Sequence, residues 1–246
     1  MPLVLNEIDK RLALAVQSFW KSQDGALLAK KESKRPDTGN RGKVTSGQHL
    51  NSFVDLLSEI VVENGLEIST VYRKGRGVTI PGFFRATKDW DLLIIHKGIL
   101  VAAIELKSMG SSFGNNLNNR AEEILGQSFD FTKAHERRVY NECPKPFLGY
   151  CVILADSSAI HRPVSASSDH FEVLPEFKTA GYAERFNLLC RKMVEEELYS
   201  EAALILSEPE AGLKSGQNRS LANLTSFHHF TTGLAAHVAR IAALAP

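Results

Sequence analysis

Helical periodicity appears twice in the first quarter of the chain. From about Asn6 to Lys21 a predicted helix has one apolar face, formed by Ile8, Leu12, Ala15, Val16, Phe19 and Trp20. A second helix is predicted from about Asn51 to a stop signal at Asn64-Gly65, with an apolar face of Phe53, Leu56, Leu57, Ile60 and Val61. Residues 22–47 between them show no periodicity, which predicts a polar linker or arm.

Uninterrupted apolar runs indicate buried strands in the middle of the chain. Asp91 to Ile95 and Ile99 to Ile104 are apolar on both faces and are separated by a Lys97-Gly98 turn. This pattern predicts a hairpin at the centre of a covered sheet. Phe147 to Ala155 is a third such run and predicts another buried strand. The weaker strand signals are Glu67 to Tyr72 and Val78 to Ile80.

The other segments complete a layered α/β pattern. Residues 108–119 are rich in Gly, Ser and Asn and predict a loop. A helix capped by Asn119 is predicted through about Ala134, with an inner face of Ala121, Ile124, Leu125 and Phe129. Residues 157–178 predict a long polar loop, and helices are predicted at roughly 180–199 and 221–244. Helices alternating with buried strands favour a single α/β domain over residues 1–246.

Composition narrows the function classes only slightly. The chain has 246 residues with 29 Lys+Arg against 28 Asp+Glu, a net charge of +1, so binding to a polyanion requires locally clustered charge. Residues 30–43 carry six basic and two acidic residues, a net charge of plus four, which suits a solvated linker or a phosphate-clamping arm. The three cysteines lack zinc-site spacing, and their odd number disfavours a disulfide framework. Without a secretory or membrane-spanning signal, a cytoplasmic protein is expected.

One group of acidic and basic residues suggests a catalytic site. Asp91 precedes Glu105-Leu106-Lys107 in the order Asp…Glu-x-Lys that magnesium-dependent phosphodiester nucleases use. The letters alone are weak, because Glu32-Ser33-Lys34 and Glu176-Phe177-Lys178 repeat the triplet. Only the triplet at 105–107 ends a strongly apolar strand whose hairpin partner begins with an Asp. In a strand, Glu105 and Lys107 project to one face and Leu106 to the core.

The residue types suit metal-assisted hydrolysis of a phosphodiester. Asp91, Glu105 and the Leu106 carbonyl are the predicted Mg²⁺ ligands, since magnesium prefers oxygen donors and open water positions. Lys107 would orient the attacking water and stabilise charge, or act as a general base if its pKa is depressed. The leaving group would be the 3′ oxygen. A plain Glu–Lys ion pair at a strand edge is the alternative without chemistry.

Several other residues compete for roles at this centre. Asp89 lies two residues before Asp91 and shares its strand face, so it is an alternative first ligand. Glu59 or Glu63 on the preceding helix is a candidate for a further ligand, which leaves a one-metal or two-metal mechanism open. The histidines at 228, 229 and 237 suggest a metal cluster, or a helix packed in the core or at a dimer contact.

The hairpin register sets a condition on the catalytic hypothesis. With a two-residue turn at Lys97-Gly98, Asp91 pairs opposite Ile104 and its side chain faces away from Glu105. A loop of odd length, or a β-bulge, places Asp91 opposite Glu105. The hypothesis therefore predicts an odd loop or a bulge in this hairpin.

The chain closely resembles the XhoI family of type II restriction endonucleases, on four segments around this motif: Trp90-Asp91-Leu92-Leu93, Glu105-Leu106-Lys107-Ser108, Phe113-Gly114-Asn115-Asn116 and Asn118-Asn119-Arg120-Ala121-Glu122-Glu123. Three further segments extend the resemblance over most of the chain: Pro81-Gly82-Phe83-Phe84-Arg85, Pro175-Glu176-Phe177-Lys178 and Leu189-Cys190-Arg191-Lys192. Trp90 stands where the name of the PD-(D/E)xK motif has a Pro, which performs no metal chemistry.

The resemblance implies an α/β fold with a PD-(D/E)xK restriction-endonuclease-like core, in which helices flank a mixed central sheet. It also implies a single endonuclease domain, a homodimer, Mg²⁺ as cofactor and cleavage within the palindrome CTCGAG. The products would have a 5′ overhang, 5′-phosphates and 3′-hydroxyls. A cognate DNA methyltransferase would be the genetic partner.

Polar residues near the motif are candidate contacts to double-stranded DNA. Asn pairs with adenine in the major groove, Arg pairs with guanine, and a helix N-terminus binds phosphate. The candidates after the motif are Asn115, Asn116, Asn118, Asn119 and Arg120. The candidates for phosphate contacts are Arg73, Lys74, Arg76, Arg137 and Arg138. Turn formation, helix capping and solvated charge are the alternative roles for these residues.

Two other functions fit the same residues. A repair or recombination nuclease would share the catalytic centre but would cut according to DNA structure. A non-catalytic DNA-binding protein would keep Glu105 and Lys107 as a structural ion pair. A digest of DNA of known sequence, with and without Mg²⁺, distinguishes these two functions from a restriction endonuclease by whether and where the DNA is cut.

Overall fold

A computed structural model describes residues 2–32, 48–73, 75–110 and 113–244. The helices are α1 (Ile8–Glu32), α2 (Asn51–Glu63), α3 (Phe113–Glu136), the single turn α4 (Ser158–His161), α5 (Tyr182–Glu195), α6 (Pro209–Ser215) and α7 (Phe227–Leu244). The strands are β1 (Val71–Tyr72), β2 (Thr79–Pro81), β3 (Thr87–Asp89), β4 (Leu92–His96), β5 (Ile99–Met109), β6 (Phe147–Ala155) and β7 (Glu201–Ser207). Among the described helices, none combines the length and the apolar character that crossing a membrane requires.

Five strands form a mixed central sheet in the order β1-β4-β5-β6-β7. The β1–β4 and β4–β5 pairs are antiparallel, whereas β5, β6 and β7 run parallel. Helices cover both faces, which buries β6 throughout its length. A separate antiparallel pair is formed by β2 and β3. The predicted hairpin, the predicted strand at 147–155 and the mixed sheet flanked by helices are confirmed.

The two faces of β5 contact different helices. Ile104 and Leu106 belong to a core cluster with the apolar faces of α2 and α7, including Leu57 and Leu234. Ala103, on the opposite face, belongs to a second cluster with residues of α3 and α5. Since side chains alternate along a strand, Glu105 and Lys107 face the α3 and α5 side of the sheet.

The predicted N-terminal linker is partly wrong. The predicted stripe of α1 is buried, including Val16 and Phe19, but the helix continues to Glu32, so residues 22–32 are helical. The segment from Ala26 to Glu32 consists of strong helix formers, and their propensity extends the helix beyond its apolar stripe. Residues 33–47, which include most of the basic segment, lie outside the described residues.

The predicted loop at 108–119 is also wrong. Strand β5 continues to Met109 and α3 already begins at Phe113, so the asparagines lie in its first turns and Asn119 is not a cap. The inner face differs as well, because Leu125 and Phe129 are exposed whereas Ile124 is buried. The buried stripe of the helix is Leu117, Ile124, Phe131 and Ala134, with polar Gln127 and Ser128 between them.

Strand β7 was not predicted, and neither was β3. The apolar part of β7, Ala202 to Leu206, is short and contains Ala and Leu, which favour helices, so only pairing with β6 decides its conformation. The segment predicted as a strand at 67–72 is extended only at Val71–Tyr72. Helix α7 packs in the core through residues such as Phe230 and Val238, as expected.

The carboxyl group of Glu201 makes stability pH-dependent. Burial raises the pKa of Glu201 to about 7, and His229 Nε2 lies 3.4 Å from its Oε2. Because the folded protein holds this proton more tightly than the unfolded chain, the contribution is favourable at pH 5 and is lost as the pH rises through about 7.

Glu201→Gln changes the free energy of unfolding by a different amount at each pH, because the glutamine side chain does not titrate. We expect this change to be more favourable at pH 8 than at pH 5 by about 2 kcal/mol. Urea unfolding at the two pH values measures the difference. Glu197→Gln is the control, because the Glu197 side chain is 86% exposed. Equal effects of Glu201→Gln at both pH values would contradict the prediction.

Candidate active site

A β-bulge sets the register of the hairpin formed by β4 and β5. Lys97 and Gly98 form a two-residue turn with φ of 49° and 76°, the positive values that a tight hairpin turn requires. Ile95 pairs with Leu100, but Ile94 pairs with Ala102, so Val101 is the extra residue. Beyond the bulge Leu92 pairs with Ile104, and the continued register places Asp91 opposite Glu105. The prediction of a bulge is confirmed.

Asp91 is tied to the strand that carries the other site residues. Its Oδ2 accepts a hydrogen bond of 2.7 Å from the backbone N–H of Leu106. Burial, followed by repulsion from the Glu105 carboxylate, raises the pKa of Asp91 above its ordinary value. The Leu106 side chain is buried in the core on the opposite face, as predicted. Asp91 and Glu105 thus form a close pair of carboxylates.

Glu105 is a buried carboxylate held between two lysines. The residue is 4% exposed, and its Oε1 accepts a hydrogen bond from Lys107 Nζ. Its Oε2 accepts a bond of 2.9 Å from Lys88 Nζ. A buried carboxylate requires such compensation, because desolvation of an unpaired charge is costly. Glu105 and Lys107 therefore share one face of β5, as the strand periodicity predicted.

Lys88 belongs to the site although sequence reasoning missed it. It lies on β3, and its ammonium sits 4.5 Å from the centre of the Trp90 ring. The Lys88 side chain is only 12% exposed, so most of it is sheltered by Trp90 and the hairpin. A Lys and a Trp two residues apart share a strand face, but this signal is too common to identify a site.

Glu123 on α3 is a second missed residue. Its Oε1 lies 3.5 Å from Lys107 Nζ, and its carboxylate also binds Arg120 and accepts a bond of 3.1 Å from Gln127 Nε2. Burial alone would raise the pKa of Glu123, but Lys107 and Arg120 outweigh it and lower the pKa. The helix therefore connects to Lys107 through an ionised carboxylate.

The same carboxylates determine the charge of Lys107. Burial alone would lower its pKa, but Glu105, Glu123 and Asp91 outweigh this effect and raise the pKa above its ordinary value. Lys107 is therefore a stable ammonium in this arrangement. This protonation state favours positioning and charge stabilisation over general-base catalysis.

Three acidic candidates lie elsewhere. Asp89 is exposed and its Oδ1 accepts a 2.5 Å bond from Thr79 Oγ1. Glu59 and Glu63 each accept a 2.8 Å bond from Arg11. Their helix α2 packs against the face of the sheet opposite Glu105, so the structure does not bring them into the site.

The other residues that the sequence offered as catalytic or metal-binding candidates do not join the site either. Glu176 of the repeated triplet pairs with Lys192 at 2.9 Å instead of contributing to a carboxylate pair, and the Glu32 side chain lies outside the described part. His237 packs against Phe147 in the core. In the described ranges, His, Cys, Asp and Glu form no group of three or more with the geometry of a metal site. A histidine cluster is therefore absent from these ranges.

The DNA-contact candidates differ in their surroundings. Asn118 and Asn119 are exposed on the first turns of α3, whereas Arg120 pairs with Glu123. Arg73 is exposed and binds Asp55. Lys74 and the side chains of Arg76 and Asn115 lie outside the described part of the chain. Asn116 lies in the first turn of α3, and Arg137 and Arg138 are exposed.

The donor set suits a hard divalent cation. Asp91 and Glu105 are close enough for their repulsion to raise the pKa of Asp91, and Leu106, between Glu105 and Lys107, supplies a backbone carbonyl. Magnesium usually binds through one or two carboxylates and keeps several positions for water or phosphate oxygens. This pair of carboxylates therefore fits Mg²⁺.

Comparisons with known proteins point to one group of enzymes. Residues 29–219 match the family model described as restriction endonuclease XhoI. The type II restriction enzyme BstVI of Geobacillus stearothermophilus is 41% identical over 220 residues, which cover 87% of this chain and 97% of the relative. The type II restriction enzyme XhoI of Xanthomonas vasicola is 40% identical over 196 residues, covering 79% and 78% of the two chains. AbrI of Azospirillum brasilense is 36% identical over 172 residues, covering 70% and 77%. No solved structure matches the chain.

Proposed function

Because the chain belongs to the XhoI family of restriction endonucleases, we propose that it hydrolyses double-stranded DNA within a short palindrome in a magnesium-dependent reaction. The proposed site is CTCGAG, cut to leave a 5′ overhang with 5′-phosphate and 3′-hydroxyl ends. The observation that carries the proposal is the bulge that places Asp91 opposite Glu105, beside Lys107. The curated relatives are named type II restriction enzymes, which favours this function over a repair nuclease.

Asp91, Glu105 and the Leu106 carbonyl would hold Mg²⁺ in this proposal. The bound ion would supply Lewis-acid charge that lowers the pKa of a water and polarises the scissile phosphate. Asp91 is held for this role by its bond to the Leu106 N–H, and Glu105 is fixed between Lys88 and Lys107. The rigidity of the pair provides positioning without reorganisation during the reaction.

The lysines would act directly on the substrate. Lys107 is kept charged by Glu105 and Glu123, so it can orient the attacking water and neutralise charge on a phosphoryl oxygen. Lys88 lies on the other oxygen of Glu105 and supplies a second positive charge. The water would attack phosphorus in line with the bond to the 3′ oxygen and would give up a proton to solvent. The 3′ oxygen would leave with the electron pair of the broken P–O bond and take up a proton from solvent.

A palindromic site would be matched by a homodimer, since twofold protein symmetry places one catalytic centre on each strand. Such an enzyme requires a cognate DNA methyltransferase to protect the DNA of its own cell. Both partners are part of the proposal.

A digest of defined plasmid DNA, with Mg²⁺ or with EDTA, tests the proposal. We expect discrete fragments only with Mg²⁺, and sequencing of the cut ends should report CTCGAG and a 5′ overhang. Structure-dependent nicks without a common sequence would favour a repair nuclease. Specific binding without cleavage under either condition would overturn the enzymatic assignment.

A further inference from the structure

Three phenylalanines form an exposed cluster beside the candidate site. Phe83 and Phe84 lie between β2 and β3, and Phe129 lies on α3; we call these three residues the aromatic tip. Their exposed fractions are 43%, 63% and 53%. Phe84 stacks on Phe129 with ring centres 5.5 Å apart and an interplanar angle of 14°. Phe83 contacts Phe84 edge to face at 4.8 Å. Large apolar groups clustered at a surface usually mark an interaction site.

Buried contacts hold the aromatic tip in place. The Asp130 side chain is 7% exposed, and its Oδ1 accepts bonds from the backbone N–H groups of Phe83 and Phe84 at 3.0 Å and 2.7 Å. Its Oδ2 pairs with Arg85 at 3.0 Å. A Cβ on Gly82 would lie 2.5 Å from that oxygen, so the loop requires glycine there. The rings are thus presented by a fixed backbone rather than by a flexible loop.

The charges around the tip favour a polyanion. Lys133 Nζ lies 5.6 Å from the centre of the Phe129 ring, and the Arg137 guanidinium lies 5.8 Å from that of Phe83. Arg85 is also partly exposed. Glu136, which pairs with Lys133, and the exposed Glu122 are acids on the same helix, whereas Asp130 is buried. Aromatic faces rimmed by cations suit stacked bases joined by phosphates.

The tip lies within reach of DNA bound at the site. Phe84 is four residues from Lys88, at most about 14 Å of extended chain, and Lys88 contacts Glu105. Phe129 is six residues beyond Glu123, about 9 Å along α3, and Glu123 approaches Lys107. At about 3.4 Å per base pair, backbone separations of this size span no more than about four base pairs.

We propose that the aromatic tip is a wedge that inserts Phe84 against a base step of double-stranded DNA, within about four base pairs of the cut, and unstacks it. The inference rests on the proposed nuclease function. Inserted apolar side chains kink a duplex and allow more protein surface to contact it. The cations near Phe83 and Phe129 would bind the phosphates on either side of the opened step.

Fluorescence of 2-aminopurine tests the wedge. Duplexes carrying the sequence mapped in the digest receive 2-aminopurine at successive positions from the cut, and binding is measured with Ca²⁺ in place of Mg²⁺. We expect the unmodified protein to raise the fluorescence at a position within about four base pairs of the cut. Phe84→Ala should abolish the rise and weaken binding about 10-fold, whereas Phe84→Trp should retain both. Phe171→Ala is the matched control, because Phe171 is 84% exposed on a different loop.

The outcomes separate this inference from the proposed function. A protein that neither binds nor cuts DNA overturns both. A protein that cuts DNA but gives no rise in fluorescence, or whose Phe84→Ala variant keeps the rise, overturns the wedge alone. If Phe84→Ala instead converts a dimer into a monomer in sedimentation, the tip contacts a second copy of the chain and the wedge is also overturned.

Discussion

Glu105→Gln is expected to reduce DNA cleavage by about 10³-fold or more. The amide keeps the shape of the carboxylate but loses the negative charge that faces Lys88 and Lys107. It also loses a proposed Mg²⁺ ligand, since a neutral amide oxygen binds a hard cation less strongly. Single-turnover cleavage of a plasmid carrying one site measures the rate, and gel-shift titration of a short duplex measures binding. Binding should remain within about 10-fold, because Glu105 is buried below the surface.

The chain provides a control with the same local sequence pattern. Glu176→Gln changes the acid of the triplet Glu176-Phe177-Lys178, whose carboxylate pairs with Lys192 on the exterior. This variant should cleave at the unmodified rate. Thermal unfolding of both variants shows whether each is folded at the assay temperature. Equal rates for Glu105→Gln and the unmodified protein would contradict the assignment of the centre.

Lys88→Met is expected to lower the cleavage rate by about 10²-fold. Methionine keeps most of the apolar stem against Trp90, so the change removes mainly the ammonium bound to Glu105 Oε2. Loss of this charge leaves the buried carboxylate with one lysine and removes positive charge beside the proposed phosphate position. The same single-turnover assay reports the rate, and Mg²⁺ titration shows whether the effect persists at saturating metal.

Lys178→Met is the control for the second prediction. Lys178 is about half exposed, and its ion pair with Glu172 lies on the exterior, so its loss should leave the rate unchanged. A Lys88→Met variant that cleaves at the unmodified rate would show that Lys107 alone suffices. A Lys107→Met variant should lose at least as much activity as Lys88→Met, because Lys107 contacts both Glu105 and Glu123.

The centre of the fold could be predicted because its signals lie between neighbours along the chain. A strand covered on both faces must be apolar at every position, so β4, the first part of β5, and β6 are recognisable in the sequence. Residues two apart on a strand share a face wherever the strand lies. For this reason Glu105 and Lys107 could be placed together, with Leu106 in the core, before any tertiary contact was known.

Helix boundaries and faces were harder to predict, because they depend on contacts with elements that are distant along the chain. Leu125 and Phe129 have the same spacing as core residues of a helix, yet they are exposed, while polar Gln127 and Ser128 are buried. Periodicity defines a stripe on a helix, but the position of the sheet decides which stripe is covered. Strand β7 was missed because its residues also suit a helix until β6 provides hydrogen-bond partners.

The pattern of neighbouring residues along the chain was thus enough to predict the α/β class, the hairpin and the grouping of Asp91, Glu105 and Lys107. The folded structure alone decided which other groups approach this trio, bringing Lys88 and Glu123 against it and directing Glu59 and Glu63 to Arg11. The physical reason is that ion pairs and packing depend on distances in space. Residues on different elements acquire those distances only when the sheet and its helices come together.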